Sequence, residues 1–195
     1  MKKTIFLCLL LAIVSIMATG CSSCQSDNKK QGTTIKPTVS IVVENTISTD
    51  KEYMFVNYGK EYAWYETCVL LKDYLDAEAC NGSISGVSNV FQGITNGDPN
   101  VVLFAHIPDS TQIDVRHGFW VEDFPMNNDI IKLTYKQAFE KIMATNSPKP
   151  HSKQCVLRKP IGPKPCNPQW IFGNIHQQLW VDAVTGEVTD SNPAF

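Results

Sequence analysis

The spacing of apolar residues changes along the chain and predicts both helices and strands. Apolar side chains recur every three or four residues over Glu61–Asp76 and again over Leu133–Asn146, which predicts two amphipathic helices. Runs rich in β-branched and aromatic residues predict strands elsewhere. These strands are Thr38–Glu44, Glu52–Asn57, Val87–Ile94, Val101–Ile107, His117–Phe124, Lys153–Lys159, Gln169–Gly173 and Gln178–Val184, followed by a short Glu187–Val188.

The order of these elements predicts the fold class. Three strands follow each predicted helix, so we expect an α+β fold of two helix-plus-three-strand units. Each unit would contribute to an antiparallel sheet with helices packed on one face. The units would be residues 37–130 and 131–195. They share no residue-level identity, so the repeat is either one of architecture or a coincidence of order.

The N-terminal segment predicts export and a lipid anchor. Lys2 and Lys3 precede an apolar run, Ile5–Met17, and small residues lead up to Cys21. We therefore expect residues 1–20 to be a lipoprotein signal peptide, Cys21 to carry the lipid, and the polar residues 21–36 to form a tether. The membrane is then a partner through the anchor. Position 22 lacks the aspartate associated with inner-membrane retention, which favours the outer membrane, facing the periplasm.

Charge is distributed unevenly. From Glu44 to Asp129 there are fourteen acids and four bases, whereas Lys132–Lys164 holds eight bases and one acid. Such runs are typical of solvated faces, but the basic stretch is also a candidate surface for an envelope protein partner. The candidate partner-binding residues are Lys153, Arg158, Lys159 and Lys164. Compartment and net charge argue against nucleic acid.

The cysteines predict one disulfide. Cys155 and Cys166 flank a predicted hairpin loop in an exported protein, and a bridge there would stabilise the fold by about 3 kcal/mol. Cys68 and Cys80 would lie roughly 18 Å apart if a helix joins them, so Cys68 is expected to be a buried apolar residue.

Residue patterns for catalysis are weak. Gly82–Gly86 places isoleucine where a nucleophile elbow needs serine. A cysteine nucleophile at Cys155 would need His151 as its base, but a disulfide explains Cys155 more simply. We therefore expect no enzyme and no cofactor. His106 and His117 would face each other in a symmetric hairpin, so a metal or small-ligand sensor is the alternative. The four tryptophans are expected in the core, with a carbohydrate platform as the minor alternative.

The C-terminal third resembles a PepSY-type domain. The matching segments are the helix LTYKQAFEKI, the strand WIFGN and the hairpin VDAVTGEV, in which Asp182, Thr185 and Gly186 form the turn. In architecture alone the chain also resembles tandem α+β envelope proteins such as β-lactamase inhibitor proteins. The resemblance implies a non-catalytic module outside the cytoplasm that binds a protein or inhibits a peptidase, and together with the N-terminal segment it predicts a lipoprotein with this function.

Overall fold

The structure, a computed structural model, describes residues 41–95, 97–117 and 123–195, all within one compact unit. The predicted signal, the lipidation site Cys21 and the tether lie outside the described residues. A 3-10 turn occupies Asn128–Ile130. The described helices are α1 (Val43–Tyr58) and α2 (Tyr135–Ala144), and the strands are β1 (Ala63–Leu71), β2 (Ile84–Thr95), β3 (Asp98–Ile107), β4 (Ser110–His117), β5 (Asp123–Phe124), β6 (Gln154–Pro160), β7 (Gln169–Gly173), β8 (Gln178–Asp182) and β9 (Val188–Thr189). Neither described helix has the length and apolar character to cross a membrane.

One continuous antiparallel sheet forms the body of the protein. Its strand order is β4-β3-β2-β1-β6-β7-β8-β9, and β5 pairs with β6 beside this path. The prediction of an α+β fold made of two helix-plus-three-strand units is wrong. β1 pairs with β2 on one side and with β6 on the other, so strands from both halves of the chain share one sheet.

Several predicted elements are confirmed and others are wrong. The second helix is present, and so are the strands β2, β3, β6, β7 and β8, including the hairpin that joins β2 to β3. The predicted helix Glu61–Asp76 is instead strand β1. The predicted strands Thr38–Glu44 and Glu52–Asn57 are replaced over the described residues by α1. The predicted strand His117–Phe124 lies mostly outside the described residues, and its described ends belong to two different strands, β4 (Ser110–His117) and β5 (Asp123–Phe124).

Both helices contact the same face of the sheet. Asn89 on β2 hydrogen bonds to α1, and its register partner on β1 is Thr67. Thr67 is in turn opposite Leu157, which is opposite Trp170, whose ring packs 6.0 Å from that of Tyr135 on α2. Because paired residues project to one face of a sheet, the core lies between this face and the two helices.

Local capping fixes the start of α2. The Thr134 hydroxyl accepts from the Gln137 N–H, and the Gln137 side chain accepts from the Thr134 N–H, which forms a capping box. The helix then buries Tyr135 and Phe139 together with Ala138 and Ile142.

The predicted turn after β8 is confirmed. The Asp182 carboxylate accepts from the backbone N–H groups of Val184 and Thr185, at 2.8 and 2.9 Å, and Gly186 has a φ of 77°. Burial raises the pKa of Asp182, but hydrogen bonds from Thr185, Asn167, Val184 and Gln169 outweigh it, so the pKa lies below its usual value.

Candidate functional site

A chain of polar side chains joins α1 to four strands beneath it. We call it the Asp50 network. In order, its members are Trp64, Thr67, Asn89, Asp50, His106 and Thr111. Sequence inspection missed Asp50. The signal that could have found it is an acidic residue at helical spacing among Val43, Ile47 and Met54, which are the other buried residues of α1.

The Asp50 carboxylate is the centre of the network. It accepts from Asn89 Nδ2 at 2.7 Å and from His106 Nε2 at 2.8 Å. The Asp50 residue is only 2% exposed and the His106 side chain only 12%. A buried carboxylate is tolerated because charge-assisted hydrogen bonds replace its water. The network therefore fixes α1 on the sheet.

His106 bridges the buried carboxylate to a surface hydroxyl. Because a carboxylate only accepts, Nε2–H donates to Asp50, and Nδ1 lies within hydrogen-bond distance of the Thr111 hydroxyl at 3.0 Å. This carboxylate–imidazole–hydroxyl order is that of a catalytic triad, but the ring is reversed. In a triad the carboxylate holds Nδ1 and leaves the less hindered Nε2 to the nucleophile. Since five of the six members are buried or nearly so, we interpret the network as structural.

The predicted pairing of His106 with His117 is wrong. The register places His106 opposite Thr111 and His117 opposite Asn100. His117 therefore lies six residues farther along β4, about 20 Å away. Among the described residues, no group of three His, Cys, Asp or Glu side chains is arranged to hold a metal ion.

The predicted Cys155–Cys166 disulfide is not formed, since both residues are free thiols. Cys155 is fully buried on β6, whereas Cys166 Sγ lies 3.9 Å from the carbonyl oxygen of Pro160 at the end of the same strand. Five residues of strand separate Cys155 from Pro160 by about 16 Å, beyond disulfide reach.

The two thiols within the sheet, Cys68 and Cys155, are unreactive because they are buried. Cys68 is 1% exposed, as expected for an apolar core residue, and burial raises its pKa to about 12. Burial likewise raises the pKa of Cys155 well above its usual value.

The predicted partner-binding bases do not form one patch. Lys153 precedes β6, donates to the Lys72 carbonyl at 2.6 Å and lies over the Tyr74 ring. Lys159 lies near the other end of β6, over Phe124. Arg158 pairs with Glu66 on the neighbouring strand β1, and the Lys164 N–H donates to the Ala194 carbonyl near the C-terminus.

Strand β4 presents an open edge. It is terminal in the strand order, and within the described part of the chain only β3 pairs with it. Ile113 and Val115 are 43% and 45% exposed, although both lie on the face that α1 covers farther in. Tyr53 of α1, 39% exposed, packs edge-on against Phe104, the partner of Ile113. The alternation of apolar and polar residues after Pro108–Asp109 is the sequence signal for this strand.

A shallow groove of about 500 Å³ lies where both helices begin. Lys72 and Lys136 line it together with Glu44, whose carboxylate already accepts from the Tyr135 N–H at 2.8 Å. The groove combines two exposed ammonium groups with an acid that is committed to the start of α2, so its charges do not select one ligand.

Comparison with known proteins identifies no family for the chain and no role for these residues. The chain matches no protein-family model, no curated protein and no solved structure. The resemblance to PepSY-type domains therefore stays a prediction.

Proposed function

We propose that the protein is a non-catalytic binding module of the cell envelope, which recognises an extended segment of a protein partner at the free edge of β4. A lipid on Cys21 would hold it to the outer membrane, facing the periplasm. One observation carries the proposal: an eight-residue edge strand whose apolar side chains Ile113 and Val115 are nearly half exposed.

An open edge of this kind favours strand addition. Edge strands offer unpaired backbone N–H and C=O groups, and an extended peptide satisfies them by adding a strand. The side chains then select the peptide. Ile113 and Val115 favour β-branched or aromatic neighbours, and Asp114 and Arg116, on the opposite face, favour opposite charges.

The polar groups elsewhere support binding over chemistry. His106, on the strand next to the edge, is hydrogen bonded at both ring nitrogens. Its role in holding α1 uses the groups that a base or a metal ligand would need. The resemblance to PepSY-type domains points to a peptidase as the class of partner.

Site-specific photo-crosslinking in the native envelope tests this proposal. A photoreactive residue at position 112, on β4, should capture a partner protein, whereas one at position 175, in an exposed loop before β8, should not. Val115→Pro should abolish capture because it removes a backbone donor from the free edge. Val115→Thr, which keeps that donor, and Lys153→Gln should both retain it.

Two results would contradict the proposal. One is capture from position 175 that equals capture from position 112. The other is capture from position 112 that survives Val115→Pro. Identification of the captured protein by mass spectrometry then decides the peptidase part separately, since a partner of another class would leave strand addition intact.

A further inference from the structure

We infer that the occupant of the β4 edge is β4 of a second copy, so that two chains form one sheet across a twofold axis. The inference rests on the proposed function, because it names a partner for the same edge, and that partner takes the place of the peptidase that the resemblance suggests. Its basis is the self-complementary order of side chains along β4.

The hairpin geometry fixes which backbone groups face outward. Ile107 pairs with Ser110 across the two-residue turn Pro108–Asp109, so these two residues exchange hydrogen bonds. Hydrogen-bonded and non-hydrogen-bonded pairs alternate along an antiparallel ladder. The residues whose N–H and C=O groups face the free edge are therefore Thr111, Ile113, Val115 and His117.

A second β4 strand must pair outward-facing residues with outward-facing residues. In a register centred on Val115, that residue faces its own copy and Ile113 faces His117 of the second copy. Asp114 then faces Arg116 of the second copy, and the twofold axis repeats the pair. A register centred on Ile113 would instead place Asp114 opposite Gln112 and Arg116 opposite Ser110. Only the first register brings opposite charges together across the interface.

The charged pair is available for this exchange. Arg116 and Asp114 already form an ion pair within one strand at 2.6 Å, and their side chains are 39% and 48% exposed. Each carboxylate can accept from both guanidinium groups at once, because it has several acceptor positions. The intermolecular pair therefore adds to the pair within the chain.

The opposite face of the pairing supplies apolar contact. Ile113, Val115 and Tyr53 of each copy lie on the α1 side of the edge, each more than a third exposed. Strand pairing would place the two Val115 side chains side by side, with both Ile113 residues flanking them. Burial of this surface accompanies the backbone hydrogen bonds, as in other isologous interfaces.

Light scattering on the full-length chain in detergent, across a wide concentration range, tests the inference. We expect twice the protein mass of one chain. Val115→Pro and the single variant Asp114→Arg should reduce it to one chain mass, and the double variant Asp114→Arg with Arg116→Asp should restore the dimer. Val115→Thr is the matched control that keeps the edge donor, and circular dichroism confirms that each variant is folded.

Three results would overturn the inference. They are a single chain mass at every concentration, a dimer that survives Val115→Pro, and a double charge variant that stays monomeric while folded. A monomeric protein that still loses its crosslinked partner through Val115→Pro would refute self-pairing and leave the proposed function standing. A monomer whose crosslinks survive that variant would refute both.

Discussion

The Asp50 network makes a quantitative prediction about stability. Asp50 is 2% exposed in the wild type, and His106→Ala removes the imidazole that donates to its carboxylate, so that Asn89 is its remaining donor in the network. Loss of a hydrogen bond to a charged group costs about 1.5–3 kcal/mol, and the cost lies at the upper end of this range because the carboxylate is buried. We expect the free energy of unfolding to fall by about 3 kcal/mol.

Urea unfolding followed by tryptophan fluorescence measures this change, because Trp64, Trp170 and Trp180 are each 3% exposed or less. Thr111→Val is the matched control. It breaks the hydrogen bond at the other ring nitrogen, which lies at the surface, and should cost only about 0.5–1 kcal/mol.

A double-mutant cycle isolates the Asp50–His106 contact. Because Asp50→Asn removes the buried charge, adding His106→Ala to that background should cost less than in the wild type, with a coupling energy of about 1–3 kcal/mol. If His106→Ala and Thr111→Val destabilise the protein equally, or if the coupling is near zero, the network does not hold α1 as described.

Two further predictions concern the turn and the thiols. Because the folded-state pKa of Asp182 is lowered, its contribution to stability is present above the unfolded pKa of about 3.9 and is lost as pH falls through the folded value. Asp182→Asn should therefore melt below wild type at neutral pH and converge with it in acid, whereas equal melting temperatures at neutral pH would contradict this. Iodoacetamide should modify Cys80 and Cys166, which are partly exposed, before Cys68 and Cys155, and mass mapping that finds Cys155 modified first in the folded protein would refute the burial argument.

Much of the C-terminal part could be predicted because its local signals agree with its tertiary environment. The Thr134 capping box marks the start of α2, and the Asp182–Gly186 turn has the residue types that its backbone requires. Each signal acts over only a few residues, so a single sequence contains all the necessary information.

Strand β1 was missed because its buried residues do not alternate with exposed ones. β1 was predicted as a helix because Trp64, Cys68 and Leu71 are spaced three or four apart. Those residues are buried, but so are Glu66, Thr67 and Val69 between them, because both faces of β1 are shielded. A strand shielded on both faces loses its alternation, and a helical spacing can then arise by chance.

Helix α1 was mistaken for strands. Its buried stripe includes Asp50, while Phe55 and Val56 are 60% and 73% exposed. The exposed apolar residues gave a strand-like composition, and the buried acid broke the helical pattern. A polar residue in a core position becomes understandable only when its partners Asn89 and His106 are known, and these lie on distant strands.

The adjacency of β1 and β6 has a consequence for how the chain acquires its structure. Glu66 pairs with Arg158 and Thr67 with Leu157, although most of the domain's sequence lies between them. While the chain folds, β1 remains an unpaired edge on this side until β6 is available to pair with it. Contacts between such distant segments require closure of a long loop before they stabilise the fold, which slows folding and prolongs the exposure of the unpaired edge of β1. Until β6 pairs with it, β1 is able to pair with other chains, so aggregation competes with folding during that time.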